Sequence, residues 1–354
     1  RGKLRWDAGE AWTLLFTGHH SEQETPRNAV RTHFVSRFGP DGLGYPADDP
    51  EATDVFGWRN PEGSGVFDTW INAEGRESVD LSLGGLKADW TGDRLSFRSI
   101  TSWMRGKRNY TEDADQGPVD VASSSNPGFE FPNNSTTSIT QELHLSGGKR
   151  LRWIVGAFYL TIDQSGLTTF AWGEDFGDFT EFERQNNQAD SLAGFGQIEY
   201  DLSQKWRLVA GLRYTDEARS STGESWTELS DGTIVPVNTR DQDRTMDKPL
   251  SGKVALEFLP STNKIAYASF NQSTKSGGFN SIDLPPANQE FDDERLSALE
   301  LGYKQEWSSG TRLNAAIFYY DYSGYQLRNF DQELLETFID NNDAEIFGGE
   351  AELF

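Results

Sequence analysis

The sequence contains no cysteine, two methionines and only four histidines. Disulfides and thiolate metal centres are therefore excluded. His19, His20, His33 and His144 are too scattered along the chain for a zinc site. No stretch approaches the roughly 18 consecutive apolar residues of a membrane-spanning helix, and the mean hydropathy is -0.65. Low hydropathy leaves membrane strands open, because only every second residue of such a strand must be apolar. Helix signals are nearly absent; ELLETF (333–338) reads either as one helical turn in a loop or as continued strand. Positive charge is short, with 32 Lys and Arg against 56 Asp and Glu, a net charge of -24. Such a surface repels phosphate backbones, so nucleic acid is not a partner. The acidity is read as solubility of polar loops. The opening RGKLRWDAGEAW lacks the apolar core and small-residue cleavage site of a secretory leader.

Aromatics and glycine are plentiful, with 11 Trp, 11 Tyr, 23 Phe and 35 Gly. Short turn sequences recur between strand patterns: DAGE (7–10), TGD (91–93), GGK (147–149), SQK (203–205), PST (260–262) and SSG (308–310). They consist of residues that tolerate tight-turn dihedrals. Between them lie long polar segments, read as connections over 23–77, 113–134, 173–186, 221–246, 278–292 and 328–342. Tight turns at one end and long loops at the other are the asymmetry of outer-membrane barrels.

The strands show a period of two. Leu208, Ala210, Leu212 and Tyr214 alternate with Arg207, Gly211, Arg213 and Thr215. Val254, Leu256 and Phe258 alternate with Lys253, Ala255 and Glu257, and Leu299, Leu301 and Tyr303 with Glu300, Gly302 and Lys304. One face is thus apolar and the other charged. Trp6, Trp90, Trp153, Trp206 and Trp307 gather beside the short turns, where an interfacial girdle belongs. WIVGAFYL (153–160) and IAYASF (265–270) are apolar on both faces, so periodicity leaves their lipid and lumen sides open. The expected fold is all-β: one antiparallel up-and-down transmembrane barrel domain over 1–354, with short periplasmic turns and long extracellular loops. About 12–13 strands are expected, with strand patterns running to both termini, as in a piece of a larger barrel.

YASFNQSTKSGGFN (267–280), ERLSALELGYKQEW (294–307), LNAAIFYYDYSGYQL (313–327) and NNDAEIFGGEAEL (341–353) resemble the barrel of TonB-dependent outer-membrane receptors. LRWDAGEAWTLLFTG (4–18), LSFRSITSWM (95–104), SITQELHLSG (138–147) and FGQIEYDLSQKWRLVAGLRYTDE (195–217) extend the resemblance over most of the chain outside the loops. It implies a 22-stranded barrel filled by an N-terminal plug, which imports a large scarce solute such as a ferric siderophore. It also implies energy coupling to the TonB complex through the plug and contact with outer-membrane lipid and lipopolysaccharide. No plug and no TonB box is visible in these residues, and EAELF at the end reads as an interrupted strand. Oligosaccharide uptake by the same class, a passive porin of 12 or 14 strands, and a soluble surface-binding β-protein are the alternatives.

Trp58, Trp70, Trp172, Phe176, Phe179 and Trp226 fall in the long connections, where planar rings suit catecholate or sugar faces. Packing of loops on one another is the plainer reading of the same rings. Arg207, Arg213, Lys253, Glu257, Glu300 and Lys304 are expected to face the lumen, as a transport path or as a cross-strand charge ladder beside the plug. EDADQGPVD (112–120) brings Glu112, Asp113, Asp115 and Asp120 together but lacks the closing Glu of a calcium loop, so no metal is assigned. KSGGFN (275–280) is not a phosphate loop, since its Lys precedes the glycines; the pair is read as allowing positive φ and close backbone approach. No nucleophile and base arrangement is present: Glu142 and His144 are expected in the lumen, two residues apart. No cofactor is implied, and the expected protein is not an enzyme.

Overall fold

A computed structural model describes residues 1–26, 71, 75–113, 122–126, 134–173, 177–331 and 336–354, with the backbone alone for 122–126, 241–244, 246, 330, 331 and 336. The elements in order are β1 (Gly2–Ala8), β2 (Trp12–Pro26), β3 (Arg76–Thr91), β4 (Leu95–Asp113), β5 (Ala122–Asn126), β6 (Ser135–Gly147), β7 (Leu151–Trp172), β8 (Phe179–Asp201) and β9 (Trp206–Leu229). There follow β10 (Ile234–Asp247), β11 (Leu250–Ser261), β12 (Lys264–Lys275), β13 (Gly278–Phe279), β14 (Glu290–Phe291), β15 (Glu294–Glu306), β16 (Arg312–Asp331) and β17 (Glu336–Leu353). Fifteen of them form one antiparallel sheet in which sequence neighbours pair; β13 and β14 make a separate two-stranded ribbon. β5 and β6 share one track between β4 and β7, and β10 and β11 share one beside β9, so the wall has thirteen tracks. Among the described residues no helix is long and apolar enough to cross a membrane, which says nothing of strands.

The six short turns all stand where the sequence puts them, joining β1–β2, β3–β4, β6–β7, β8–β9, β11–β12 and β15–β16. Gly9, Gly148 and Gly310 take positive φ there, which only glycine does without strain. Three of the expected long connections are mostly strand instead. β7 and β8 leave only 173–178 between them, β9 and β10 turn at 230–233, and β16 and β17 are separated only by 332–335. These strands reach 22, 23 and 24 residues in β7, β8 and β9. At about 3.3 Å per residue the longest is close to 80 Å, whereas a tilted crossing uses about 9–11 residues. Strand beyond the bilayer meets water on both faces, so it carries no apolar alternation, and its Ser, Thr, Asn and Gln read as loop.

Register divides the wall into two faces. On β8 and β9, Tyr200 pairs with Leu208, Ile198 with Ala210, Gly196 with Leu212 and Gly194 with Tyr214. Exposure follows the same face, at 60% for Leu192 and 63% for Leu212. The row continues through Leu208–Leu256, Ala210–Val254, Val254–Phe270, Phe270–Leu299 and Leu301–Ile317. It spans residues 192–200 of β8 and 206–214 of β9, one crossing length. Trp206 at its lower rim packs on Phe258 with ring centroids 4.8 Å apart.

The two ambiguous segments resolve by register. Val155 and Tyr159 are exposed with the apolar row, while Phe158 lies on the opposite face beneath Arg213. Phe270 joins the apolar row, and Tyr267 lies on the polar face, where its hydroxyl donates to Glu300. Tyr267 lies over Gly302, where any Cβ would overlap the ring.

Candidate binding face and inward loop

The polar face carries a charge network at the short-turn end. Arg152 reaches Asp201 at 2.7 Å and Glu199 at 3.2 Å; Arg207 bridges Asp201 at 3.1 Å and Glu257 at 3.4 Å. Arg213 lies over the rings of Phe158 and Phe195, at 5.0 and 5.9 Å. Lys304 lies 5.8 Å from the Tyr267 ring, and Lys253 is exposed. His144 and Glu142 pair on this face, with His144 edge-on to Phe195. These half-exposed contacts form a ladder across adjacent strands, a pattern that contributes little stability per pair.

At the other end, residues 276–293 fold back over the polar face. The segment leaves β12 and makes the β13–β14 ribbon with a 3-10 turn at Pro286–Asn288. Its Ile282 and Leu284 are 1% and 2% exposed. On one side it is held by β8, β9 and β10. Ile282 N–H and the Ser281 hydroxyl donate to Glu183 Oε1 at 3.2 and 3.1 Å. Gln185 donates to the Asn280 carbonyl at 3.2 Å, and Asn238 to Asp283 Oδ1 at 2.8 Å. On the other side the Asn280 side-chain amide holds β17: its Oδ1 accepts from Ile339 N–H at 2.8 Å and its Nδ2 donates to the Ile339 carbonyl at 2.9 Å. Inside the loop, Gln289 donates to the carbonyls of Ile282 and Leu284 at 2.9 and 2.8 Å.

Arg240 is the central clasp. It is 4% exposed and donates to Ser221 Oγ at 3.2 Å, the Asn280 carbonyl at 3.3 Å and Gln289 at 3.4 Å, with its guanidinium over Phe279. Its orientation depends on a register shift. Below the shift Asp243 pairs with Ser221 and Arg244 with Ser220; above it Arg240 pairs with Gly223. Without that bulge, Arg240 would share the face of Ser220 and point outward. Burial raises the Glu183 carboxyl above its ordinary range, against the lowering effect of the Ile282 N–H. The Gly277–Gly278 pair of KSGGFN serves close approach alone: neither takes positive φ, and a Cβ on Gly277 would overlap the Phe291 carbonyl.

The aromatic positions separate. Trp172 and Phe179 meet on the polar face with centroids 5.9 Å apart; Phe170 joins at 4.9 Å, and Trp172 Nε1 donates to Glu181 at 2.9 Å. Trp226 lies on the opposite face, stacked on Phe182 at 5.0 Å and 3° with Arg184 over its ring. Trp58, Trp70 and Phe176 lie outside the described residues, as do Asp115 and Asp120. No metal-holding group of His, Asp or Glu occurs among the described residues.

The fold is shared with solved receptors. The ferric yersiniabactin uptake receptor FyuA from Yersinia pestis aligns at a TM-score of 0.71 and 15% identity, over 98% of this chain and 46% of that one. The siderophore receptor PiuA from Acinetobacter baumannii aligns at 0.66 and 13%, over 99% and 52%. The copper transporter OprC aligns at 0.52 and 12%, over 96% and 54%. This chain thus spans about half the length of the structures it matches. Residues 18–354 match the family model described as TonB dependent receptor-like, beta-barrel, and the chain belongs to that family.

Proposed function

We propose that this chain is the wall of an outer-membrane receptor that binds a large scarce solute, a ferric siderophore above all, and imports it with TonB-coupled energy. The carrying observation is the two-faced wall of a family barrel with a loop clasped over its polar face. The loop, held from β8 to β17 over the polar face, supports the reading as a surface that a captured solute meets. The Phe170, Trp172 and Phe179 cluster offers planar apolar area above it. FyuA, by name a ferric yersiniabactin uptake receptor, and PiuA, by name a siderophore receptor, support an iron chelate, whereas OprC makes copper a competing cargo. The charge ladder at the short-turn end serves the plug, through which TonB acts. No covalent chemistry is assigned to the chain.

The test is a deletion strain complemented with the full-length gene and supplied with single ferric chelates, copper or oligosaccharides. Restored uptake of one ferric chelate, lost again in a strain without TonB, is the expected result. Uptake independent of TonB overturns the energy coupling, and uptake of sugars or copper only overturns the iron reading.

A further inference from the structure

Above the inward loop the polar face keeps a carboxylate that no cation among the described residues neutralises. Glu181 stands on β8 in register with Phe170 of β7 and Thr227 of β9. One row higher Phe179 is flanked by Trp172 and Leu229, and one row lower Glu183 is flanked by Thr168 and Ser225. Glu183 is taken up by the loop, accepting from Ile282 N–H and the Ser281 hydroxyl. Glu181 is exposed, and among the described residues its one polar partner is the Trp172 indole N–H, at 2.9 Å from Oε2. The guanidiniums of the neighbouring rows are engaged elsewhere. Arg184 faces outward on Glu224, Arg219 binds Glu217, and Arg240 is buried on Ser221, Asn280 and Gln289. The loop adds another carboxylate, Asp283, which accepts from the Ser225 hydroxyl at 2.5 Å and from Asn238 at 2.8 Å, both neutral donors.

We infer that this patch takes an organic cation, an ammonium or guanidinium group carried by the solute. The inference rests on the reading of the chain as a solute receptor and deepens it by naming the charge that the receptor meets. Ring area supplies the first argument. Phe170 and Phe179 are tilted by 59° and 31° to the Trp172 ring, and all three are half-buried, so aromatic surface stays open beside the carboxylate. A cation gains from a ring face and a carboxylate together. The indole occupies Oε2, which leaves Oε1 to accept from an ammonium. The outer face of the same strands supplies the second argument. There Phe182 stacks on Trp226, Arg184 lies 5.3 Å from the Trp226 ring and the same guanidinium binds Glu224. That set of rings, cation and carboxylate is complete within the chain. The inner set of Trp172, Phe179 and Glu181 has the rings and the carboxylate, and the solute supplies the cation. A single open carboxylate among rings offers too few oxygen ligands for a bare metal ion. An iron chelate suited to this patch carries a pendant ammonium, whereas an anionic catecholate chelate sets its charge against Glu181.

The experiment uses the full-length receptor in nanodiscs and three soluble probes of similar shape: benzylammonium, benzyl alcohol and benzoate. Dissociation constants are read by saturation-transfer NMR titration, with empty nanodiscs subtracted. The wild type is expected to bind benzylammonium about fivefold more tightly than benzyl alcohol, and benzoate more weakly than either. Glu181→Gln keeps an acceptor for the indole and removes the charge, and it is expected to bring the three probes within about twofold of one another. Asp231, in the β9–β10 turn on Thr233 N–H, serves as the control for overall acidity. Asp231→Asn is expected to keep the wild-type order. A wild type that binds the alcohol or benzoate as tightly as the amine overturns the proposal, as does one that binds none of the probes. An order that survives Glu181→Gln, or that Asp231→Asn removes equally, overturns it too. Absence of the charge order together with TonB-dependent uptake of an anionic ferric chelate removes the cation site and leaves the receptor reading standing. The charge order together with TonB-independent uptake supports the cation site and overturns the energy coupling.

Discussion

The Arg240 guanidinium donates to the Asn280 carbonyl at 3.3 Å, joining β10 to a loop forty residues further along the chain. The contact exists because a bulge in β10 turns Arg240 inward, and it closes the centre of a clasp anchored at Glu183 and Ile339. Replacing Arg240 with Ala removes its charged donors, leaving the Asn280 carbonyl to Gln185 and the Gln289 carbonyl to the Asn280 N–H. We expect local opening of 278–291 to become easier by about 1–3 kcal/mol, the worth of hydrogen bonds from a charged donor. Hydrogen exchange of those amides in the full-length protein measures it, and unchanged protection would remove Arg240 from this role.

Glu183 gives the clasp a pH dependence. Its carboxyl is raised above the ordinary 4.5 by burial, so the docked loop holds a proton more tightly than the undocked one. Stability of docking is therefore fully present below the ordinary value and falls as pH rises through the raised one. Exchange protection at Ile282, corrected for intrinsic rates, is expected to rise as pH falls from neutral toward that window. Glu183→Gln should flatten the profile; a profile unchanged by that substitution places the titration elsewhere.

Two tryptophans should separate by face. Trp172 lies with Phe179 on the polar side and Trp226 on the outer side. Trp172→Ala is expected to weaken solute binding by about 1–2 kcal/mol, near tenfold, and Trp226→Ala to leave it unchanged. Equal losses measured by titration of the purified receptor would contradict this separation.

Gly302 should resist even alanine. A Cβ there would overlap the Tyr267 ring, which covers the gap on the polar face and donates to Glu300. Gly302→Ala is expected to cost about 1–3 kcal/mol, seen as a lower urea midpoint for loss of the folded band in unheated electrophoresis. An unchanged midpoint would show that the ring moves freely aside.

The membrane band was legible because lipid demands alternation. Leu208 to Tyr214, Val254 to Phe258 and the Trp residues beside tight turns all announced it, and the six short turns followed from Gly, Ser, Asp and Pro. Above the bilayer that demand ends. Asn186 and Thr222 are as much strand as Leu212, yet nothing in the polarity of such residues marks a face, so 173–186, 221–246 and 328–342 read as loop. The clasp was hidden for another reason. Glu183, Arg240 and Asn280 meet through pairing across distant strands, and a bulge decides which way Arg240 points. The apolar Ile282 and Leu284 within the polar run SIDLPP were the available signal for a loop that packs inward.

Lipid on one side of β9 and a polar interior on the other is the central claim, and a site-directed spin-label scan of residues 206–216 tests it most directly. In the full-length receptor in bilayers, labels at 208, 210, 212 and 214 should be reached by oxygen and shielded from a water-soluble nickel chelate. Labels at 207, 209, 211 and 213 should show the reverse. A two-residue oscillation in that phase is the predicted result; no oscillation, or the opposite phase, would contradict the account.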